Sequence, residues 1–212
     1  IHSSRRRFAA RLSSGVRPYM QQLPSLREML VRCNNAIEEM ASAQSLEAFE
    51  AAWIEYLHRL ERFWNKSLSH FGKSPKWAGW SGRFQTERRK DQLLAYLTNA
   101  RGADEHSVAP ITERAAGGVG INAAEGNSLY IERMEVRNGE IFIQSPQTIK
   151  VTFFPDRVRL LPITNRGRTY AVPTSHLGQP LDASDVVQVA KVGLGYYEGF
   201  LAAAEGFLCR PR

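Results

Sequence analysis

The sequence has no uninterrupted apolar run of the roughly 18 residues that a membrane-spanning helix needs, so no bilayer span is expected. It has only two cysteines, Cys33 and Cys209, far apart and in no CxxC pattern. That excludes a disulfide framework and makes a reducing, cytoplasmic setting the expectation. Its five histidines, His2, His58, His70, His106 and His176, show no HxxxH or HxH spacing, which argues against a zinc site. No G-x-S-x-G elbow is present. The glycines at 117–120 lack the strand-then-helix setting and the trailing Lys-Ser/Thr of a phosphate loop. No cofactor and no metal is therefore expected. Acidic residues are missing from the first 17 positions, where Arg5, Arg6, Arg7, Arg11 and Arg17 lie.

What is present reads as a globular α+β chain of 212 residues, 43% hydrophobic, with a formal charge of +7. The charge is unevenly placed. Those five arginines together with Arg210 and Arg212 take seven of the 28 basic residues, which leaves 21 against 21 acids in the body. The excess belongs to the tails. Residues 1–23 read as a basic arm with two readings: a phosphate-binding segment, or, more plainly, a solvated tail or a segment that packs on a neighbouring subunit. The second is favoured.

Apolar periodicity predicts helices in the first half. Leu26, Met29, Leu30, Cys33, Ile37 and Met40 form one stripe that starts near Pro24 and Ser25. A second stripe, Phe49, Trp53, Tyr56, Leu57, Leu60, Phe63 and Trp64, predicts a long aromatic helix over about 46–70. Gly, Pro and Ser predict a loop over 72–83, and Thr86 is placed to cap a third helix over 86–103. Residues 107–128 read as a flexible linker. Beyond it the spacing predicts an antiparallel meander of about five strands: 129–137 and 140–144 around Asn138-Gly139, 149–154 and 157–163 around Pro155-Asp156, and 168–172. A last helix over 183–208, capped by Asp182 or Ser184, is expected to pack back on a helical bundle spanning 24–106. The meander and last helix, 129–212, form either a separate domain or part of the same one. The glycines at 193, 195 and 199 imply a close helix approach or a kink.

Two clusters carry candidate chemistry. The first is Arg101-Gly102-Ala103-Asp104-Glu105-His106 at a helix end. Arginine offers a planar fork of donors to phosphate oxygens. Histidine titrates near neutrality and can accept a proton from a ribose 2′-hydroxyl or return one to the leaving oxygen. Five helical steps separate the two by about 140°, a gap that a long side chain or a turn at Gly102 would close. The plainer reading is an i,i+4 pair of Arg101 with Glu105, and a His106 that complements the helix dipole. The second cluster interleaves Lys73, Lys76 and Arg83 with Trp77 and Trp80, as in sites that stack unpaired bases and neutralise phosphates. Its plainer reading is a pair of tryptophans that pin a loop to the bundle. His58, among aromatic positions of the second helix, reads as an ordinary helix histidine, and Cys33 as an inert core thiol.

The arginine–spacer–histidine pattern at a helix end, with four residues between Arg101 and His106, resembles that of the HEPN superfamily of helical domains. Over roughly residues 24–106 that resemblance implies a small helical bundle and metal-independent RNA cleavage. It assigns Arg101 to phosphate binding and His106 to general acid/base work. It also implies a homodimer whose copies face each other to make one composite site. Gly102 departs from the pattern, which usually has Asn, Asp or His after the arginine. The other class of function is a non-enzymatic interaction domain, whose β-meander or basic arm contacts a protein partner.

Overall fold

The computed structural model describes residues 17–106 and 109–208, with the backbone alone for 17–22 and 106. Most of the basic arm, Cys209 and the two C-terminal arginines lie outside the described residues. Five helices and ten short strands follow in the order α1–α4, β1–β10, α5. The described residues fall into two compact units, Ile1–Glu113 with Val158–Arg212, and Arg114–Arg157.

In the first unit, α1 (Arg17–Ala41) begins before the expected start and carries Pro24 inside it. Its stripe is as read: Leu26, Leu30, Cys33, Ile37 and Met40 are all buried. The helix α2 (Leu46–Phe71) starts where Ser45 accepts a bond from the Ala48 backbone N–H at 3.1 Å, which satisfies one orphan donor of the first turn. Trp53, Tyr56, Leu57, Leu60, Phe63 and Trp64 are buried along it.

The expected loop over 72–83 is corrected. Only a short turn follows α2, and α3 runs over Trp77–Lys90, so Thr86 lies inside a helix and caps nothing. The Cβ positions of Gly79 and Gly82 are open, so these glycines meet no packing demand. Burial outweighs their helix penalty of about 1 kcal/mol each. Phe84 is buried, and the Trp77 and Trp80 rings pack around Phe200. Asp91 then divides the expected third helix. Its backbone N–H ends α3 on the Glu87 carbonyl, while its Oδ1 accepts from Leu94 N at 3.0 Å and caps α4 (Gln92–His106).

The helix α5 (Val186–Leu208) packs back on α1, α2 and α4, with Val189, Ala190, Tyr197, Phe200 and Ala204 buried. Its cap is Asp185, which accepts from Gln188 N at 3.0 Å, in place of Asp182 or Ser184. Close approach explains one of its glycines. A Cβ at Gly193 would lie 2.6 Å from Leu97 Cδ1 and 2.8 Å from Tyr56 Oη, whereas Gly195 and Gly199 have open surroundings.

The five-stranded meander is corrected to a set of two-stranded antiparallel pairs. The Asn138-Gly139 hairpin is present: β3 (Arg133–Arg137) pairs with β4 (Glu140–Gln144), and both turn residues have positive φ, 53° and 83°. The strands flanking Pro155-Asp156 do not pair with each other. Instead β5 (Ile149–Phe154) pairs with β2 (Gly118–Ala123), and β6 (Arg157–Leu160) with β1 (Thr112–Ala115). Both partners come from the segment read as a linker, so the β3–β4 hairpin is nested inside β2–β5. Near α4, β7 (Ile163–Asn165) pairs with β8 (Arg168–Tyr170). A further hairpin, β9 (Ser175–His176) with β10 (Gln179–Pro180), is tied to Asp91: His176 Nδ1 lies 2.9 Å from Oδ1, and Leu177 N donates to Oδ2 at 2.6 Å. No helix among the described residues is long and apolar enough to cross a membrane.

Candidate functional site

The helix α4 carries Arg101, Asp104, Glu105 and His106, and it runs unbroken through Gly102. The turn that would bring Arg101 and His106 together within one chain is absent. The two stand about 140° apart on one continuous helix. The His106 side chain lies outside the described groups.

Gly102 is fixed by packing. A Cβ there would lie 2.6 Å from Asn165 Nδ2 on β7. That amide donates to Asn99 Oδ1 at 3.0 Å, one helical turn before Gly102. The Asn165 amide from β7 therefore fills the space that a side chain at position 102 would take. Glycine is what lets that strand approach.

Arg101 Nη2 pairs with Glu105 Oε1 at 2.5 Å, so the plainer reading of this motif is met in part. Yet the guanidinium is not closed off. The side chain is 34% exposed, and its Nε is buried with no hydrogen-bond partner among the described residues. It borders an open depression of about 440 Å³ that is also lined by His58, Arg59, Arg62 and Lys66. Glu55 and Glu61 line it too, but Glu55 pairs with Arg59, and Glu61 with Arg88. Arg62 and Lys66 are exposed and form no ion pair among the described residues. Cations facing a shared hollow attract an anion such as phosphate.

His58 is the residue that the sequence did not single out as functional. Its Nε2 lies 3.6 Å from Asp104 Oδ2, and its Nδ1 lies 3.9 Å from Glu105 Oε1, the same oxygen that holds Arg101. These separations are ion-pair distances when the imidazole is charged, longer than hydrogen bonds. The ring is about one-third exposed, on the same depression. No sequence spacing could link it to the motif, because α2 and α4 meet only through the fold. The arrangement offers a guanidinium, an imidazole and two carboxylates at one exposed place. Chemically, that is a phosphate ligand beside a proton carrier.

Lys73, Lys76, Trp77, Trp80 and Arg83 lie elsewhere, on the turn before α3 and on its first two turns; none lines the Arg101 depression. Trp77 stacks on Phe71 with ring centroids 6.2 Å apart, and Trp80 on Phe207 at 6.2 Å. Lys76 Nζ sits 5.7 Å over the Phe207 ring. Arg83 covers Phe84 and pairs with Glu87 at 3.2 Å, whereas Lys73 is exposed. Both indoles therefore place one face on the protein's own rings. Among the described residues no His, Cys, Asp and Glu side chains form a group suited to a metal ion. No protein-family model, curated protein or solved structure matches this chain.

Proposed function

We propose that this chain is a HEPN-like, metal-independent endoribonuclease or an RNA-binding relative of one, with Arg101 as the phosphate ligand and His106 as general acid/base. The observation that carries the reading is the position of Arg101: partly exposed, at the edge of a hollow edged by Arg62 and Lys66, with the His58 imidazole alongside. RNA supplies both groups such a site would use, a phosphate anion and an adjacent 2′-hydroxyl. Arginine stabilises the charge that builds on the phosphorus oxygens as the 2′-oxygen attacks. Histidine takes the hydroxyl proton, or protonates the departing 5′-oxygen. The products would be a 2′,3′-cyclic phosphate and a free 5′-hydroxyl, with no metal required. Since α4 is continuous, a second copy supplies the natural complement to a single Arg101–His106 pair.

Incubation of labelled single-stranded RNA with the protein in EDTA tests this. Cleavage to cyclic-phosphate ends is expected, with a loss of about 100-fold or more for His106→Ala. Arg101→Ala should lose both cleavage and binding. A 2′-deoxy substitution at the cut site should block the reaction. RNA that is neither cut nor bound by the wild-type protein removes the proposal.

The second reading, a non-enzymatic interaction domain, is favoured by a different observation. The unit Arg114–Arg157 exposes large apolar side chains, among them Phe153 and Val136. Such surfaces on folded proteins mark contact sites.

A further inference from the structure

Cleavage through a neighbouring hydroxyl moves two protons. The 2′-oxygen–phosphorus bond forms as the phosphorus–5′-oxygen bond breaks, so one proton leaves the 2′-hydroxyl and another reaches the 5′-oxygen. In-line displacement sets those two oxygens on opposite sides of the phosphorus. The reaction therefore has work for a second proton carrier besides His106. Helix geometry narrows where it comes from. On α4, Arg101, Asp104 and Glu105 fall within an arc of about 100°, whereas His106 stands about 140° from Arg101. The arc that carries Arg101 is the one that meets His58 of α2.

Glu105 Oε1 lies 2.5 Å from Arg101 Nη2 and 3.9 Å from His58 Nδ1, so those two nitrogens stand at most 6.4 Å apart. Two hydrogen bonds of about 2.8 Å each, made to different oxygens of one ribonucleotide, span such a gap. The other ring nitrogen, Nε2, faces Asp104 Oδ2 at 3.6 Å. His58 and Arg101 line the same open depression, and Arg62 and Lys66 line it one and two turns further along α2. Their charge draws a polyanion toward it.

We propose that His58 is the general base that takes the 2′-hydroxyl proton at a phosphate held by Arg101 of the same chain. This role rests on the ribonuclease reading and adds a residue to it; protonation of the 5′-oxygen falls to His106. The carboxylates favour the base over the acid. As the ring takes up a proton it gains positive charge, and Asp104 and Glu105 stabilise that charge. Asp104 at Nε2 also orients the ring and leaves Nδ1 on the Arg101 side, the arrangement of a base held by a third group. A separation of 3.6 Å suits the free chain, because such contacts tighten once substrate is bound.

Single-turnover cleavage of a labelled oligoribonucleotide in EDTA, read beside its binding by anisotropy, tests this. His58→Ala and His58→Gln should each cut about 100-fold or more slowly, while RNA affinity changes by less than about threefold. Glutamine keeps a polar side chain of similar reach but carries no proton, so a merely structural histidine would survive that change. A loss carried by affinity instead would make His58 a phosphate ligand and overturn the base role. A substrate with sulfur in place of the 5′-oxygen releases its leaving group without a proton. The His58→Gln defect should persist on it; disappearance of the defect would make His58 the acid and overturn the assignment. Helical circular dichroism checks folding, and the glutamine variant decides should the alanine variant lose helicity. RNA neither cut nor bound by the wild type removes the ribonuclease reading and the base with it. RNA bound but left uncut removes the base and spares the binding reading. Wild-type cleavage that His58→Gln leaves intact removes the base alone.

Discussion

Glu105 Oε1 lies 2.5 Å from Arg101 Nη2 and 3.9 Å from His58 Nδ1, so one carboxylate oxygen mediates between an arginine on its own helix and a histidine on another. The carboxylate competes with any phosphate for the guanidinium. It also places negative charge where an anionic ligand would sit.

Glu105→Gln should therefore tighten RNA binding, by a few-fold, through release of Arg101 and removal of one repulsive charge. Arg101→Ala should weaken binding, and Glu105→Gln should give a smaller gain in the Arg101→Ala background than in the wild type, because only the charge effect is left there. Fluorescence anisotropy of a labelled oligoribonucleotide at fixed salt measures all three. Equal affinity for wild type and Glu105→Gln would place the phosphate elsewhere.

Gly102→Asn introduces the polar residue usual in the resembled motif, yet it should destabilise the protein. Its Cβ would meet Asn165 Nδ2 at 2.6 Å. The expected loss is about 1–3 kcal/mol by urea unfolding. Combination with Asn165→Gly should return much of it, since the clash is with a side chain rather than with backbone. An additive double variant would show that the two positions do not contact.

Arg88 is a structural centre. It pairs with Glu61, donates from Nε to the Tyr197 hydroxyl at 2.9 Å, and covers the Trp64 ring at 4.6 Å. Its side chain is only 11% exposed. Arg88→Met should cost roughly 3 kcal/mol, because it leaves Glu61 charged and unpaired at a mostly buried place. Adding Glu61→Gln should recover part of that. Denaturant unfolding of the two variants is the measurement, and a near-neutral Arg88→Met would refute the role.

Stability should decline at alkaline pH. Burial pushes the Cys33 thiol from 9.0 up to about 12, and burial likewise raises the Tyr56, Tyr96 and Tyr197 hydroxyls above their ordinary value of 10.0. The unfolded chain releases these protons first, so their contribution is full below about pH 9 and falls as pH climbs toward the folded values. Urea midpoints should be level with respect to these groups up to about pH 8 and should drop beyond pH 9. With Cys209 changed to Ser, no thiol should react with a disulfide reagent at neutral pH until denaturant is added.

The helix stripes were legible because burial on one side of a helix leaves a period in the sequence. Leu26 to Met40 and Trp53 to Trp64 stand where that period places them. The Asn138-Gly139 turn was legible because its φ values suit few residues. The helix over 77–90 was not, because local glycines and a proline argued for a loop, while the reason for a helix lay more than 100 residues away in Phe200. Asp91 likewise shows its role only beside His176 and Leu177. The pairing of β5 with β2 skipped the nearer partner that the Pro155-Asp156 turn suggested.

The amino-acid order alone determined the mixed α+β class, the apolar faces of α1 and α2, the uneven charge of the tails and the Arg101–His106 candidate pair. Those properties are local: propensity, periodicity and composition act within a few turns of chain. Tertiary structure alone decided that His58 stands beside Asp104 and Glu105, that Gly102 makes room for Asn165, and that β5 pairs with β2. Each of these depends on distances between segments far apart in the chain, and such distances are set only when the whole core closes.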